Sequence, residues 1–236
     1  MNAPPIKSPA RAMLAIVLAL LVVRVGALLA SPLELHFDEA QYWHWSRALD
    51  WGYFSKPPLI AWVIAATTGV FGNAEWAVRL AAPFCHAAGA FALFALARRI
   101  YGPVAGLWAG ALWLTMPAVW LSSAIMSTDA LVMPLWSAAL YCLWRLIETR
   151  AWIWAILLGA ALGLGALAKY AMLYFPLCAA FAALIGRDAR QALLSKYGAA
   201  AAAIAALILA PNLYWNATHE FQTLQHTAAN ANVGAD

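Results

Sequence analysis

Polar residues interrupt this chain rarely, and the apolar runs between them are long rather than alternating. A helix needs about 20 apolar residues to cross the hydrocarbon of a bilayer. Seven stretches meet or approach that length: 12–30, 79–96, 104–121, 130–147, 152–168, 170–185 and 197–215. The fifth and sixth are short and meet at Lys169, as a tight hairpin would. The first reads as a retained signal anchor rather than a cleaved leader, because it is long, Arg24 interrupts it, and Ser31-Pro32 is a poor cleavage site. Gly106 and Gly110, like Gly159 and Gly163, stand at the small-xxx-small spacing that lets helix backbones approach closely. No internal repeat and no soluble domain is visible.

Composition removes the soluble classes. Hydrophobic residues make up 65% of the 236 and charged residues 10%, where soluble domains carry about 45–50% and about 25%. The mean hydropathy is +0.74. In lipid the backbone must be satisfied within helices or a closed barrel, and runs that do not alternate choose helices. The predicted fold is therefore an all-α, polytopic transmembrane bundle. The three cysteines, Cys85, Cys142 and Cys178, lie in apolar runs without ligand spacing and read as packing residues.

Charge then orients the bundle. Nine basic residues fall on one side: Lys7, Arg11, Arg98, Arg99, Arg145, Arg150, Arg187, Arg190 and Lys196. Four fall on the other, Arg47, Lys56, Arg79 and Lys169, and Arg24 is inside a span. The basic-rich side is the expected cytoplasmic one. The scatter of these residues speaks for topology and against a nucleic-acid partner. Acidic residues go the other way, with only Glu148 and Asp188 on the basic-rich side.

The first external loop, 32–78, is too long for a connector. A helix is expected from Asp38 to Leu49, with Tyr42, Trp45 and Leu49 at helical spacing, and a second from Pro57-Pro58 to about Phe71-Gly72. Trp43, Trp45, Trp51, Trp62 and Trp76 suit a membrane interface, which places both helices along the outer leaflet. Asp38-Glu39 can cap a helix or hold something at the membrane surface, where a bare carboxylate pair is costly. Lys56, just before a helix start, makes an anion site with the free N–H groups there or snorkels to headgroups. Asp129 opens the fourth span, where a cap role is also available. Lys169 lies deep in apolar surroundings, and an ionisable residue there is a functional candidate. His219, Glu220 and His226 follow the last span. By the predicted topology Asp38, Glu39, Lys56, Asp129, Lys169, His219 and His226 all face one compartment, and unrelated caps would not bring two lysines to the side that basic residues avoid.

The ordered set Asp38-Glu39-Ala40-Gln41-Tyr42, Lys56-Pro57-Pro58-Leu59, Glu75-Trp76-Ala77-Val78-Arg79-Leu80, Thr128-Asp129-Ala130, Lys169-Tyr170 and Pro211-Asn212-Leu213 with Trp215-Asn216 spans nearly the whole chain. It resembles the GT-C membrane glycosyltransferases, in the bacterial branch near the protein O-mannosyltransferases and the lipid A aminoarabinose transferases. That resemblance implies an inverting transfer from a polyprenyl-phosphate sugar donor to a lipid, glycan or protein acceptor at the periplasmic face of the inner membrane. It implies Asp38 as the catalytic carboxylate, with Asp129 and Glu39 as further acidic candidates, and Lys56, Lys169 and Tyr170 at the carrier phosphate. Many relatives have an acid before Lys-Pro-Pro that helps hold a divalent metal, whereas Ser55 stands here. Glu39, His219 and His226 are the remaining metal candidates. Relatives of this kind are longer, so residues 1–236 are expected to be the N-terminal portion of the transmembrane domain, in a truncated chain. A transporter or flippase would also place charges at depth, but near the midplane and with repeat symmetry. A non-catalytic scaffold is the other alternative.

Overall fold

The computed structural model describes residues 8–231. Lys7, used in the charge count, and residues 232–236 lie outside the described residues. The elements are α1 (Pro9–Ala30), α2 (Phe37–Ser46), α3 (Leu59–Phe71), α4 (Glu75–Arg79), α5 (Ala81–Tyr101), α6 (Pro103–Thr115), α7 (Pro117–Ser122), α8 (Thr128–Thr149), α9 (Trp152–Ala168), a 3-10 turn (Tyr170–Leu173), α10 (Tyr174–Ile185), α11 (Arg187–Leu193), α12 (Lys196–Thr218) and α13 (Gln222–Ala231). Among the described residues there is no strand.

Each of the seven predicted runs is helical, but they are not equal. Four helices are long and apolar enough to cross a membrane: α1, the stretch Glu75–Tyr101 formed by α4 and α5, α8, and α12. The segments α6, α9 and Tyr170–Ile185 are apolar but shorter. The third run is broken. Pro117 has no N–H to continue α6 and pushes Met116 out of helical geometry, to φ −60° and ψ 133°. What the length of the apolar run suggested as one span to Leu121 is therefore α6 followed by the separate short helix α7.

Glycine decides how closely the helices meet. A Cβ on Gly159 would lie 2.6 Å from the carbonyl oxygen of Ala201, and one on Gly163 would lie 2.7 Å from the side chain of Ile208. The α9–α12 contact exists because neither residue has a Cβ. Gly106 and Gly110 do the same for α6 against α5 and against Met13 of α1. The main apolar core runs through α8, α9 and α12, and a smaller one joins α1, α5 and α6.

The first external loop is folded onto one end of this bundle. Tyr42 of α2 and Ile60 and Ile64 of α3 are buried in the same cluster as Ala130, Leu131 and Met172. Both helices expected in the loop are present, α3 starting just after Pro57-Pro58 and ending at Phe71, though α2 stops at Ser46 rather than Leu49. The opposite end carries the turns rich in arginine. There Arg99 pairs with Glu148 at 2.9 Å, and Arg150 Nη2 donates to the Asp188 carbonyl at 2.9 Å.

Candidate active site

Two helix starts bring the acidic candidates together, and in both the cap is another residue. Helix α8 is capped by Ser127, whose hydroxyl accepts from the Ala130 N–H at 3.3 Å. Asp129 is thereby released, and both its oxygens accept from Lys169 Nζ, at 2.7 and 3.0 Å. Helix α2 has His36 at its N-cap position, and it is Glu39 that reaches back to the His36 N–H at 3.0 Å. Asp38 sits half-buried in the first turn, and its carboxylate has no hydrogen bond among the described residues. Asp38 and Asp129 face a common neighbour. Burial first, and then the negative charges of Asp38 and Asp129, push the buried phenol of Tyr42 well above its usual pKa.

Glu39 is committed elsewhere. It is 1% exposed and forms a 2.7 Å ion pair with Arg79. Its Oε1 also accepts from the Met126 N–H at 2.8 Å. Arg79 in turn donates to the carbonyls of Leu33 at 3.0 Å and Glu34 at 2.7 Å. Burial alone would raise the Glu39 carboxyl, but the bonds from Arg79, Met126 and His36 outweigh it and hold the group below the usual carboxylate range. One carboxylate thus ties together the end of α1, the start of α2, α4 and the segment leading into α8. It has no free face for a substrate proton or a metal ion.

Lys56 belongs to a segment held from beneath by α12. Asn212 Nδ2 donates to the Trp51 carbonyl at 2.6 Å, and Trp215 Nε1 donates to Asp50 Oδ2 at 2.8 Å. Gly52 lies flat on the Trp215 ring, where a Cβ would collide. Thr223 donates to the Tyr53 carbonyl at 2.6 Å. Tyr170, next to Lys169, donates to Asn212 Oδ1 at 2.7 Å. A chain of bonds from Tyr170 through Asn212 to Trp51 therefore connects the two lysine-bearing segments. The Lys56 side chain is half-buried and has neither an ion pair nor a hydrogen bond among the described residues. Ser55 beside it is buried.

The histidines are placed differently. His219 ends α12, with Nδ1 2.8 Å from the Trp215 carbonyl and its ring stacked on the Trp215 indole at 4.1 Å. His226 packs against Phe54 at 5.0 Å. Among the described residues no three His, Cys, Asp or Glu side chains gather as a metal site. Sequence reasoning missed the roles of Arg79, Asn212, Trp215 and Asn216, whose Nδ2 donates to the Tyr170 hydroxyl at 3.1 Å. The available signals were an arginine on the side poor in basic residues and two amides inside an otherwise apolar helix.

Residues 55–215 match the family described as dolichyl-phosphate-mannose-protein mannosyltransferase. The lipid A galacturonosyltransferase RgtD of Rhizobium johnstonii is 41% identical over 218 residues, which cover 92% of this chain and 46% of that protein. The crystal structure of ArnT from Cupriavidus metallidurans bound to undecaprenyl phosphate superposes with a TM-score of 0.75 at 22% identity, over 91% of this chain and 43% of ArnT. The apo ArnT structure gives 0.69 at 21% identity, over 92% and 44%. The chain thus spans a little under half the length of the relatives it matches.

Proposed function

This chain belongs to the dolichyl-phosphate-mannose-protein mannosyltransferase family, and on that premise we propose that it transfers a sugar from a polyprenyl-phosphate donor to a lipid acceptor. The reaction takes place on the periplasmic face of the inner membrane, where the acidic end of the bundle lies. The protein is an integral membrane protein with the fold of the ArnT half it superposes on. The acceptor class is supported by the relative named for lipid A, and the donor class by the ArnT structure that holds undecaprenyl phosphate.

The observation that carries the reading is the state of the charges. Asp38 adjoins the Glu39–Arg79 joint without a hydrogen bond of its own among the described residues, its charge and that of the Lys169-paired Asp129 both act on Tyr42, and Lys56, at the same end, has no ion pair among the described residues. In the proposed step Asp38 takes the proton of the acceptor hydroxyl. The acceptor oxygen bonds to the anomeric carbon from the face opposite the phosphate. The carbon–oxygen bond to the carrier breaks, and its electron pair leaves on the phosphate, with inversion. Lys56 and Lys169 stabilise that leaving charge, and Asp129 orients Lys169. Glu39 and Arg79 are positioning residues.

The test is transfer of labelled sugar from polyprenyl phosphate into lipid by membranes carrying the protein. Transfer that Asp38→Asn abolishes supports the reading. Transfer unaffected by Asp38→Asn sinks the assignment of the base.

A further inference from the structure

Arg24 has no part in the proposed chemistry. It lies within α1 on the face that buries Met13, Val17 and Leu28, and it is 5% exposed. Its Nη2 donates to the Leu114 carbonyl at 2.5 Å, and the guanidinium lies 5.1 Å from the centre of the Trp120 ring. The carbonyl is spare because α6 breaks before Pro117. Neither partner carries a negative charge. The Arg24 Nε is buried and makes no hydrogen bond, and no carboxylate pairs with the residue among the described residues. A cation at that depth without a counter-charge is costly.

A cavity of about 450 Å³ adjoins Arg24, walled by the end of α1, α7 and the segment leading into α2. Ser31, His36 and Trp120 are among the groups that line it. Its two carboxylates do not answer Arg24. Glu39 is spent on Arg79, and Glu34 is exposed and forms no ion pair among the described residues. Its large apolar lining residues Leu33, Leu121 and Trp120 are open to the surroundings, at 69%, 62% and 45% exposure. A dissolved anion would gain nothing from such a rim, whereas a lipid presents acyl chain to it and charge to the interior.

We propose that this cavity binds an anionic membrane lipid, its phosphate or carboxylate headgroup paired with Arg24 and its chains passing Leu33 and Leu121. The proposal stands apart from the transfer reaction, since it needs only a membrane-embedded chain. The probe is dioleoyl phosphatidic acid, titrated against dioleoyl phosphatidylcholine into the purified protein in detergent, with bound lipid counted by native mass spectrometry. The protein is expected to retain phosphatidic acid and not phosphatidylcholine. Arg24→Gln keeps a donor for the Leu114 carbonyl but loses the charge, and is expected to weaken retention about tenfold or more. Arg24→Lys should keep most of it, and excess inorganic phosphate should not compete. If Arg24→Gln fails to fold, Leu33→Glu provides the same reading by placing a like charge at the mouth, and should also lose phosphatidic acid. Equal retention of the two lipids, or undiminished retention in Arg24→Gln or Leu33→Glu, would return Arg24 to a cap for α6 and overturn the proposal. Competition by inorganic phosphate would make the cavity a site for a free anion and overturn it equally.

Discussion

At the scale of single residues, the most informative change is the smallest. Asp38→Asn keeps shape and helix-start preference, because asparagine caps about as well as aspartate. The His36 position and the Glu39 carboxylate already serve the start of α2, so the variant should fold as before and bind donor as before. Loss of the base is expected to lower transfer by about 10²–10⁴-fold, measured as initial rate at saturating donor. Lys56 gives a different signature. Its ammonium has no partner to lose among the described residues, so Lys56→Ala should leave thermal stability unchanged and raise the donor concentration needed for half-saturation. Lys56→Arg should restore part of that, since charge survives while geometry changes. Donor dependence that stays flat in Lys56→Ala would mean the lysine serves only headgroups. The chemical candidates at this scale were legible in the sequence because charge is rare in so apolar a chain. Which of two adjacent acids is free was not legible. Asp38 and Glu39 differ by one position, about 100° around a helix, and only the fold shows that Arg79 and Met126 meet Glu39.

At the scale of elements, the Glu39–Arg79 pair acts as a joint for four segments. Breaking a buried pair leaves an uncompensated charge and costs about 3–5 kcal/mol. Glu39→Gln is therefore expected to lower the melting temperature in detergent markedly, with activity falling as the Asp38 segment loosens. The pH dependence has a definite sign. The folded-state carboxyl is depressed, so its contribution to stability is present above the ordinary carboxylate range. It is lost as pH falls through the depressed value. Melting curves of the parent and Glu39→Gln should accordingly converge toward acid pH and diverge above it. A constant gap across that range would contradict the role. Element positions were largely readable: α2 follows from the spacing of Tyr42 and Trp45, α3 from the helix start at Pro57-Pro58, and α9 meets α12 where Gly159 and Gly163 predicted close approach. The break at Met116 was not read, because hydropathy continues through Pro117 while the backbone cannot.

At the scale of the whole molecule, the charge count and the hydrogen bonds agree on two distinct ends. The Lys169–Asp129 and Glu39–Met126 bonds gather one, and the Arg99–Glu148 and Arg150–Asp188 contacts gather the other. The acidic end is expected to face away from the cytoplasm. Cysteine labelling checks this best at Leu49, which is 58% exposed, rather than at the buried Ser55. In a background without Cys85, Cys142 and Cys178, Leu49→Cys should react with an impermeant maleimide on intact inner-membrane spheroplasts. Leu194→Cys, 81% exposed at the opposite end, should react only after lysis. The reverse pattern would invert the topology. The bundle as a whole was legible because lipid leaves the backbone few alternatives. The seating of the first loop was not, since it depends on Asn212 and Trp215, some 160 residues away in sequence from the segment they hold.

In the proposed reaction, the Lys169–Asp129 contact would set how the site rests between turnovers. Its side chains are 38% and 51% exposed, so the pair is held by no more than about 1 kcal/mol. An arriving phosphate can draw Lys169 away at little cost, and Asp129 can take it back when the carrier departs. On that proposal the lysine would never be left without a counter-charge, and the spent carrier would meet a competitor already in place. A tighter pair would shut donors out and a missing one would retain the product, so Asp129→Asn should shift the slow step toward carrier release.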